Sequence, residues 1–174
     1  IPQLLSVIVP RHPNRGGDIA RMLTAAGMQV ALRSQDELPG RGTDIYVADT
    51  MGELGLFYRI APVVFMGGSL VAHGGQNPIE AIKLGAAILH GPHVFNFDDI
   101  YDALNQAGGA LRAESGEDFV KSLGHLLVNP IARQRSVGAA EGVVSKLGGA
   151  LDKTVSALEP YLLQLRLEAG APDA

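Results

Sequence analysis

Three short stretches concentrate the residues able to do chemistry: PRHPNRGG at 10–17, DTMGEL at 49–54 and GGSLVAHGGQNPIE at 67–80. In the first, Arg11, His12 and Arg15 fall close together in a chain of net charge −4. A guanidinium there suits two-pronged binding of phosphate or carboxylate oxygens. The alternative is a solvated turn in which Pro10 ends a strand; the local charge favours an anion site.

In the second stretch, Thr50 and Glu53 have capping-box spacing, in which the hydroxyl bonds a free amide and the carboxylate reaches back to the cap's own N–H. That structural role explains both residues as well as a ligand would. Gly52, placed inside the expected first turn, fits it less well, because glycine costs about 1 kcal/mol against alanine in a helix. In the third stretch Asn77 is a good N-cap, Pro78 suits the first helical position, and Glu80 stands where a capping box wants an acid. Yet Gly67, Gly68, Gly74 and Gly75 exceed what one helix start needs. Glycines let backbone amides approach a ligand, and an acid beside them accepts hydrogen bonds from a sugar diol. A ligand site is the favoured reading, with Gly67, Gly68 and Ser69 as further loop contacts.

Other chemistries fail on their spacing. Glu53 and Glu80 each have a capping explanation and no evident water-activating neighbour, which argues against a carboxylate-pair hydrolase. No G-x-G-x-x-G follows a strand, no Walker A motif occurs, and GGSLV lacks the second glycine of a nucleophile elbow. Gly91 and Pro92 separate His90 from His93 and prevent a rigid helical pair, so no metal site is expected. Lys83 is spaced for an i,i+3 surface contact with Glu80 rather than for catalysis. Asp98 and Asp99 are expected to open a helix with Phe95 and Phe97 packed beneath it.

These stretches need elements to position them. Short apolar segments near 4–9, 28–33, 45–48, 63–66, 86–89 and 109–112 read as strands, with helices between them. LLSVIV and VVFM are continuous apolar runs, as expected when helices cover both faces of a sheet. The pattern predicts an α/β fold, a doubly wound parallel sheet whose ligand crevice lies beyond the carboxyl ends of the strands. All three stretches follow such ends. After Asn129-Pro130 the pattern becomes helical across 130–168, with Ala140, Val144, Leu147, Leu151, Val155, Leu158 and Leu162 at three- or four-residue intervals. Pro160 is expected to break or kink that run, and 170–174 to be disordered.

The 174 residues fit one domain of 1–174, with 47% hydrophobic and 18% charged residues, 22 Gly and 10 Pro. Absence of cysteine excludes disulfides and thiolate zinc sites. The acidic balance, without a Lys/Arg run, argues against nucleic acid. No apolar run approaches the ~20 residues of a membrane span. The missing initiator Met and the early first strand point to a piece of a longer protein.

In this order and spacing, PRHPNR, DTMGEL, FMGGSLVAHGGQNPIEA and GPHVFNFDDI closely resemble the C-terminal half of the bacterial Kdo (3-deoxy-D-manno-octulosonic acid) transferases. The likeness covers almost the whole chain, including LEPYL at 158–162. It implies the Rossmann-like C-terminal domain of a GT-B glycosyltransferase, which binds the donor CMP-Kdo. The enzyme passes Kdo to a lipid A precursor during lipopolysaccharide biosynthesis, at the cytoplasmic face of the bacterial inner membrane. By the family's pattern, CMP contacts fall on Pro10 and Arg11, on Met51, Gly52 and Glu53, and on Asn77, Pro78, Ile79 and Glu80. The resemblance also implies inversion at the anomeric carbon and no metal or cofactor beyond the donor.

Three departures qualify it. Ala72 stands where members usually carry proline and Gln76 where they carry histidine, changes that alter the loop without abolishing nucleotide binding. The family's first strand of this domain and its acceptor domain, which carries membrane association and a glutamate base, have no counterpart here. No residue of the chain is therefore assigned as catalytic, and these residues alone are expected not to turn over. A UDP-sugar transferase or epimerase of the same fold, preferring UDP, and a non-catalytic interaction module are the alternatives.

Overall fold

The computed structural model describes residues 3–169, with side chains through residue 149 and at 157, 158 and 161 beyond it. The expected disorder at 170–174 lies outside the described residues. Two compact units hold the chain, Ile1–Ile60 and Ala61–Ala174.

In the first unit, β1 (Ser6–Ile8), α1 (Gly16–Ala25), β2 (Val30–Leu32), β3 (Ile45–Val47) and α2 (Leu54–Ile60) follow one another. Single 3₁₀ turns lie at Pro13–Arg15 and Arg33–Gln35. The sheet order is β1-β3-β2, all parallel, with Val7 and Ala31 both in register with Tyr46. The core gathers Ala31, Tyr46, Ala48 and Phe57, with Val7 packed against it and the Tyr46 and Phe57 rings meeting edge to face at 6.2 Å.

In the second unit, β4 (Val63–Met66), α3 (Ile79–Lys83), β5 (Ala87–His90), α4 (Asp98–Ala107), β6 (Ala110–Arg112), α5 (Gly116–Val128) and α6 (Pro130–Ala169) follow. The sheet order is β4-β5-β6, again parallel. All six expected strands form, and the fold is α/β with parallel pairing throughout, three strands to each unit.

Position in the sheet decides burial more than apolar content does. LLSVIV was expected to be covered on both faces, yet Leu4, Leu5 and Val9 are exposed and β1 is only half-buried. It is an edge strand of its sheet. The central β5, Ala-Ile-Leu-His, is wholly buried, including its histidine.

Helix ends follow local chemistry. The Asn129 side chain accepts the Ala132 N–H at 3.0 Å, and Pro130 occupies the first turn of α6, where a missing N–H costs nothing. The Ser115 hydroxyl caps α5 by accepting the Asp118 N–H. The 40-residue α6 runs without interruption through position 160, so Pro160 does not break it. Its buried face is narrower than the expected stripe: Ser136, Ala140 and Val144 face the core, whereas Leu147 and Leu158 are half-exposed. The side chains of Leu151, Val155 and Leu162 lie outside those described. Gly109, before β6, lets α6 approach closely, since a Cβ there would stand 2.8 Å from the Ala140 backbone.

Candidate functional site

In both units the sequence-predicted residues follow the carboxyl ends of parallel strands, where an open α/β sheet leaves its ligand crevice, all on loops except Ile79 and Glu80, which begin α3.

In the first unit the loop after β1 carries Pro10 and Arg11. Arg11 is exposed and has no hydrogen bond or ion pair among the described residues. A guanidinium held open in this way is available to an anion. The loop after β3 carries Met51, exposed at 78%, then Gly52 and Glu53. The expected capping box does not form. Because α2 begins at Leu54, Glu53 stands before the helix, its carbonyl accepting the Leu56 N–H at 3.0 Å. Thr50 Oγ1 donates to the Glu53 carboxylate instead of accepting from a free amide N–H. Gly52 lies outside the first turn with φ +85°, and nothing stands near the place a Cβ would take. Its backbone conformation, not a crowded neighbour, requires glycine.

The loop after β2 ties this edge together. Arg33 grips Glu53 with two prongs, Nε to Oε2 at 3.1 Å and Nη2 to Oε1 at 2.6 Å. The Arg33 hydrogen bonds and then that of Thr50 hold the Glu53 carboxyl down at about 2, well below its ordinary 4.5. Glu53 in turn pushes the guanidinium up. Tyr46, whose buried hydroxyl meets no partner in hydrogen-bond geometry among the described residues, lies close enough to add to that rise. Ser34 donates its N–H (2.9 Å) and its hydroxyl (2.8 Å) to Asp49, and a Cβ on Gly16 would overlap the same carboxylate. Arg33, Ser34 and Gly16 were not singled out from the sequence. An arginine and serine straight after a short strand gave the only local signal, and their partners lie 20 and 15 residues further on.

In the second unit the loops after β4 and β5 interlock, with α4 joining them through Tyr101. Gly75 N–H donates to Gly68 O (3.1 Å), Asn96 N–H to Gly74 O (3.2 Å), His93 N–H to Ser69 O (2.9 Å) and Tyr101 Oη to Gln76 O (2.7 Å). Gly68, Gly74 and Gly75 all have positive φ, and a Cβ on Gly74 would overlap the Asn96 side chain. Packing between the two loops accounts for Gly74 and Gly75, and Gly68 packs within its own loop, where a Cβ would stand 3.1 Å from the His73 ring. Gly67 is exposed, has an ordinary φ and faces open space. Ser69 is wholly buried, donating to Met66 O (2.5 Å) and accepting the Gly91 N–H (2.8 Å), so its hydroxyl is spent on the fold.

Asn77 caps as expected, its Oδ1 accepting the Ile79 N–H at 3.0 Å. Pro78 is fully buried and anchors the start of α3; Ile79 is half-buried. Glu80 does not complete a capping box and does not pair with exposed Lys83. Its carboxylate is exposed and has no partner among the described residues. Phe95 is not packed beneath α4 but is exposed at 56%, over the Gly74 loop that would clash with it if it carried a Cβ. Asp98 opens α4 as expected. His90 is structural: its ring nitrogens face Gly91 O at 2.7 Å and Asn105 Oδ1 at 3.0 Å, and its ring lies on Tyr101. Among the described residues no group of three His, Asp or Glu is placed to hold a metal, and no helix is long and apolar enough to cross a membrane.

No protein-family model matches the chain. A 3-deoxy-D-manno-octulosonic acid transferase of Haemophilus influenzae is 38% identical over 162 residues, 92% of this chain and 38% of that protein. One of Bordetella pertussis is 39% identical over the same extent. A probable mitochondrial one of Arabidopsis thaliana is 36% identical over 154 residues, 86% of this chain and 34% of that protein. The chain thus spans less than two-fifths of the length of these relatives. The crystal structure of the C-terminal CMP-Kdo binding domain of WaaA from Acinetobacter baumannii superposes with a TM-score of 0.78 at 32% identity, covering 81% of this chain and 74% of that one. With likeness in sequence and in fold over most of that domain, the chain belongs to the family of 3-deoxy-D-manno-octulosonic acid transferases and corresponds to their C-terminal domain.

Proposed function

We propose that this chain is the donor-nucleotide domain of a CMP-Kdo-dependent glycosyltransferase. The observation that carries the reading is its likeness, in sequence and in fold, to a domain named for CMP-Kdo binding. Each unit supports it by itself: the first has an open guanidinium on Arg11, suited to the anion of a nucleoside monophosphate, and the second an open carboxylate on Glu80, suited to ribose hydroxyls.

In the proposed reaction the bond between the Kdo anomeric carbon and a CMP phosphate oxygen breaks. An acceptor hydroxyl oxygen bonds that carbon and gives its proton to a base. Arg11 neutralises the phosphate as it leaves, lowering the barrier by stabilising charge that develops in the transition state. Glu80 orients the ribose, with Asn77 fixing the loop, while Met51 and Gly52 offer backbone at the edge of the first unit. The α3 helix has only five residues, so its dipole contributes little and the Glu80 side chain carries the polar recognition. None of these residues is placed as the base; they bind and orient the donor. The acceptor is a lipid A precursor at the cytoplasmic face of the inner membrane, the product belongs to lipopolysaccharide biosynthesis, and the donor is the one small molecule required, without metal or cofactor.

Calorimetric titration tests the assignment. CMP should bind the chain more tightly than UMP or UDP. Arg11→Ala and Glu80→Gln should each weaken CMP about tenfold or more, the range for hydrogen bonds to a charged group. Equal affinity in all three proteins would sink the assigned roles, and preference for UDP would move the reading to a UDP-sugar enzyme.

A further inference from the structure

Arg33 has no role in the reading above, yet it makes a two-pronged ion pair with Glu53 at the carboxyl edge of the first unit. A carboxylate offers about four lone-pair positions. On Glu53, Arg33 Nε and Thr50 Oγ1 fill both positions of Oε2, and Arg33 Nη2 fills one of Oε1. One acceptor position is left, on Oε1.

The direction of that position is fixed. A planar guanidinium gripping with two nitrogens sets the plane of the carboxylate, which a point charge cannot do. The next residue, Ser34, bonds Asp49 through both its N–H and its hydroxyl, so the backbone beside Arg33 is tied to the loop that carries Glu53. Side-chain exposures of 32% for Arg33 and 27% for Glu53 separate this pair from the freely solvated ion pairs of the chain, such as Lys121 with Glu117. An acceptor held in advance gives up little rotamer freedom when a ligand binds.

We propose that Arg33 is a positioning residue for nucleotide binding: with Thr50 it holds Glu53 so that its one remaining acceptor, on Oε1, meets a single hydrogen-bond donor of the nucleotide. The inference rests on the donor-nucleotide reading, with Glu53 among the CMP contacts that the family's pattern implies.

The test is a calorimetric double-mutant cycle with CMP on the full chain, using Arg33→Ala, Arg33→Lys, Glu53→Gln and the double variant Arg33→Ala/Glu53→Gln. Arg11→Ala serves as an independent site, and circular dichroism gives the folded fraction by which each affinity is normalised. Arg33→Ala should weaken CMP about tenfold, and Arg33→Lys, which keeps charge but loses the fork, should fall between it and the wild type. The double variant should bind no worse than Glu53→Gln, because both changes remove one device, whereas the losses from Arg33→Ala and Arg11→Ala should multiply. A purely structural Arg33 would lower the folded fraction without this coupling. Wild-type affinity in the folded Arg33 variants, or multiplying losses for Arg33 and Glu53, overturns the inference. Should Arg33→Ala not fold, Arg33→Lys against Glu53→Gln decides it by the same comparison. If the wild type binds no CMP, the donor-nucleotide reading falls and takes this one with it; if it binds and the Arg33 variants match it, this one falls alone.

Discussion

Glu53 and Glu80 carry the same functional group and the same spacing signal, and the fold treats them oppositely. Glu53 is gripped by Arg33 and Thr50, whereas Glu80 meets no partner among the described residues. The grip has a pH signature. Glu53 is held at about 2 when folded, against 4.5 ordinarily, so its contribution to stability is complete above about pH 4.5 and is lost as pH falls through about 2. Denaturant unfolding followed from pH 6 to pH 2 should show the wild type losing its advantage over Glu53→Gln across that window. A constant gap between the two proteins would show that the pair adds no pH-linked stability. Both glutamates were legible in the sequence as candidates, since each follows a strand and opens a helix. Which of them was already occupied was not, because Arg33 is distant in sequence and reaches Glu53 only once β2 and β3 are paired.

At the scale of elements, the loops beyond β4 and β5 are held by one another as much as by the strands they follow. Ser69 is the pivot, bonding back to Met66 and across to Gly91, and a Cβ on Gly91 would overlap the Ser69 carbonyl. Ser69→Ala should leave the buried Gly91 N–H without its acceptor and cost about 1–3 kcal/mol, read as a lower melting temperature by calorimetry. An unchanged melting temperature would show that the loop closes without this bond. The glycine run shows how one sequence signal can have more than one structural cause. Gly74 and Gly75, with positive φ, are packed closely against the loop 93–97, and Gly68 against His73 of its own loop. A glycine that accommodates a ligand and one that accommodates a neighbouring loop are identical in sequence; only the coordinates of Asn96 and Val94 separate them.

For the molecule as a whole, α6 matters most to the second unit, where it packs on α3, α4, α5 and β5. Its buried Ala140 and Val144 and its close approach at Gly109 seal one side of that sheet. Truncation after Asn129 should remove that cover and open the unit. Amide hydrogen exchange in β5 should then rise from protection near the global limit to rapid exchange, while full protection in the truncated chain would show that α6 is dispensable.

Read alone, the sequence already determined the parallel α/β class, the six strands, the strand-end loops that carry Arg11 and Glu53 and lead to Glu80, and the resemblance to a nucleotide-sugar transferase domain. Apolar runs, turn glycines and helix-start residues are local signals, and strand-to-loop order is written in chain order. Tertiary structure alone decided that β1 is an edge and β5 a buried centre, that Glu53 is clamped while Glu80 stays open, and that Ser69 and most of the glycines serve the fold. Each of these depends on which distant segments meet, and pairing between strands and loops is set by three-dimensional packing rather than by neighbours in the chain.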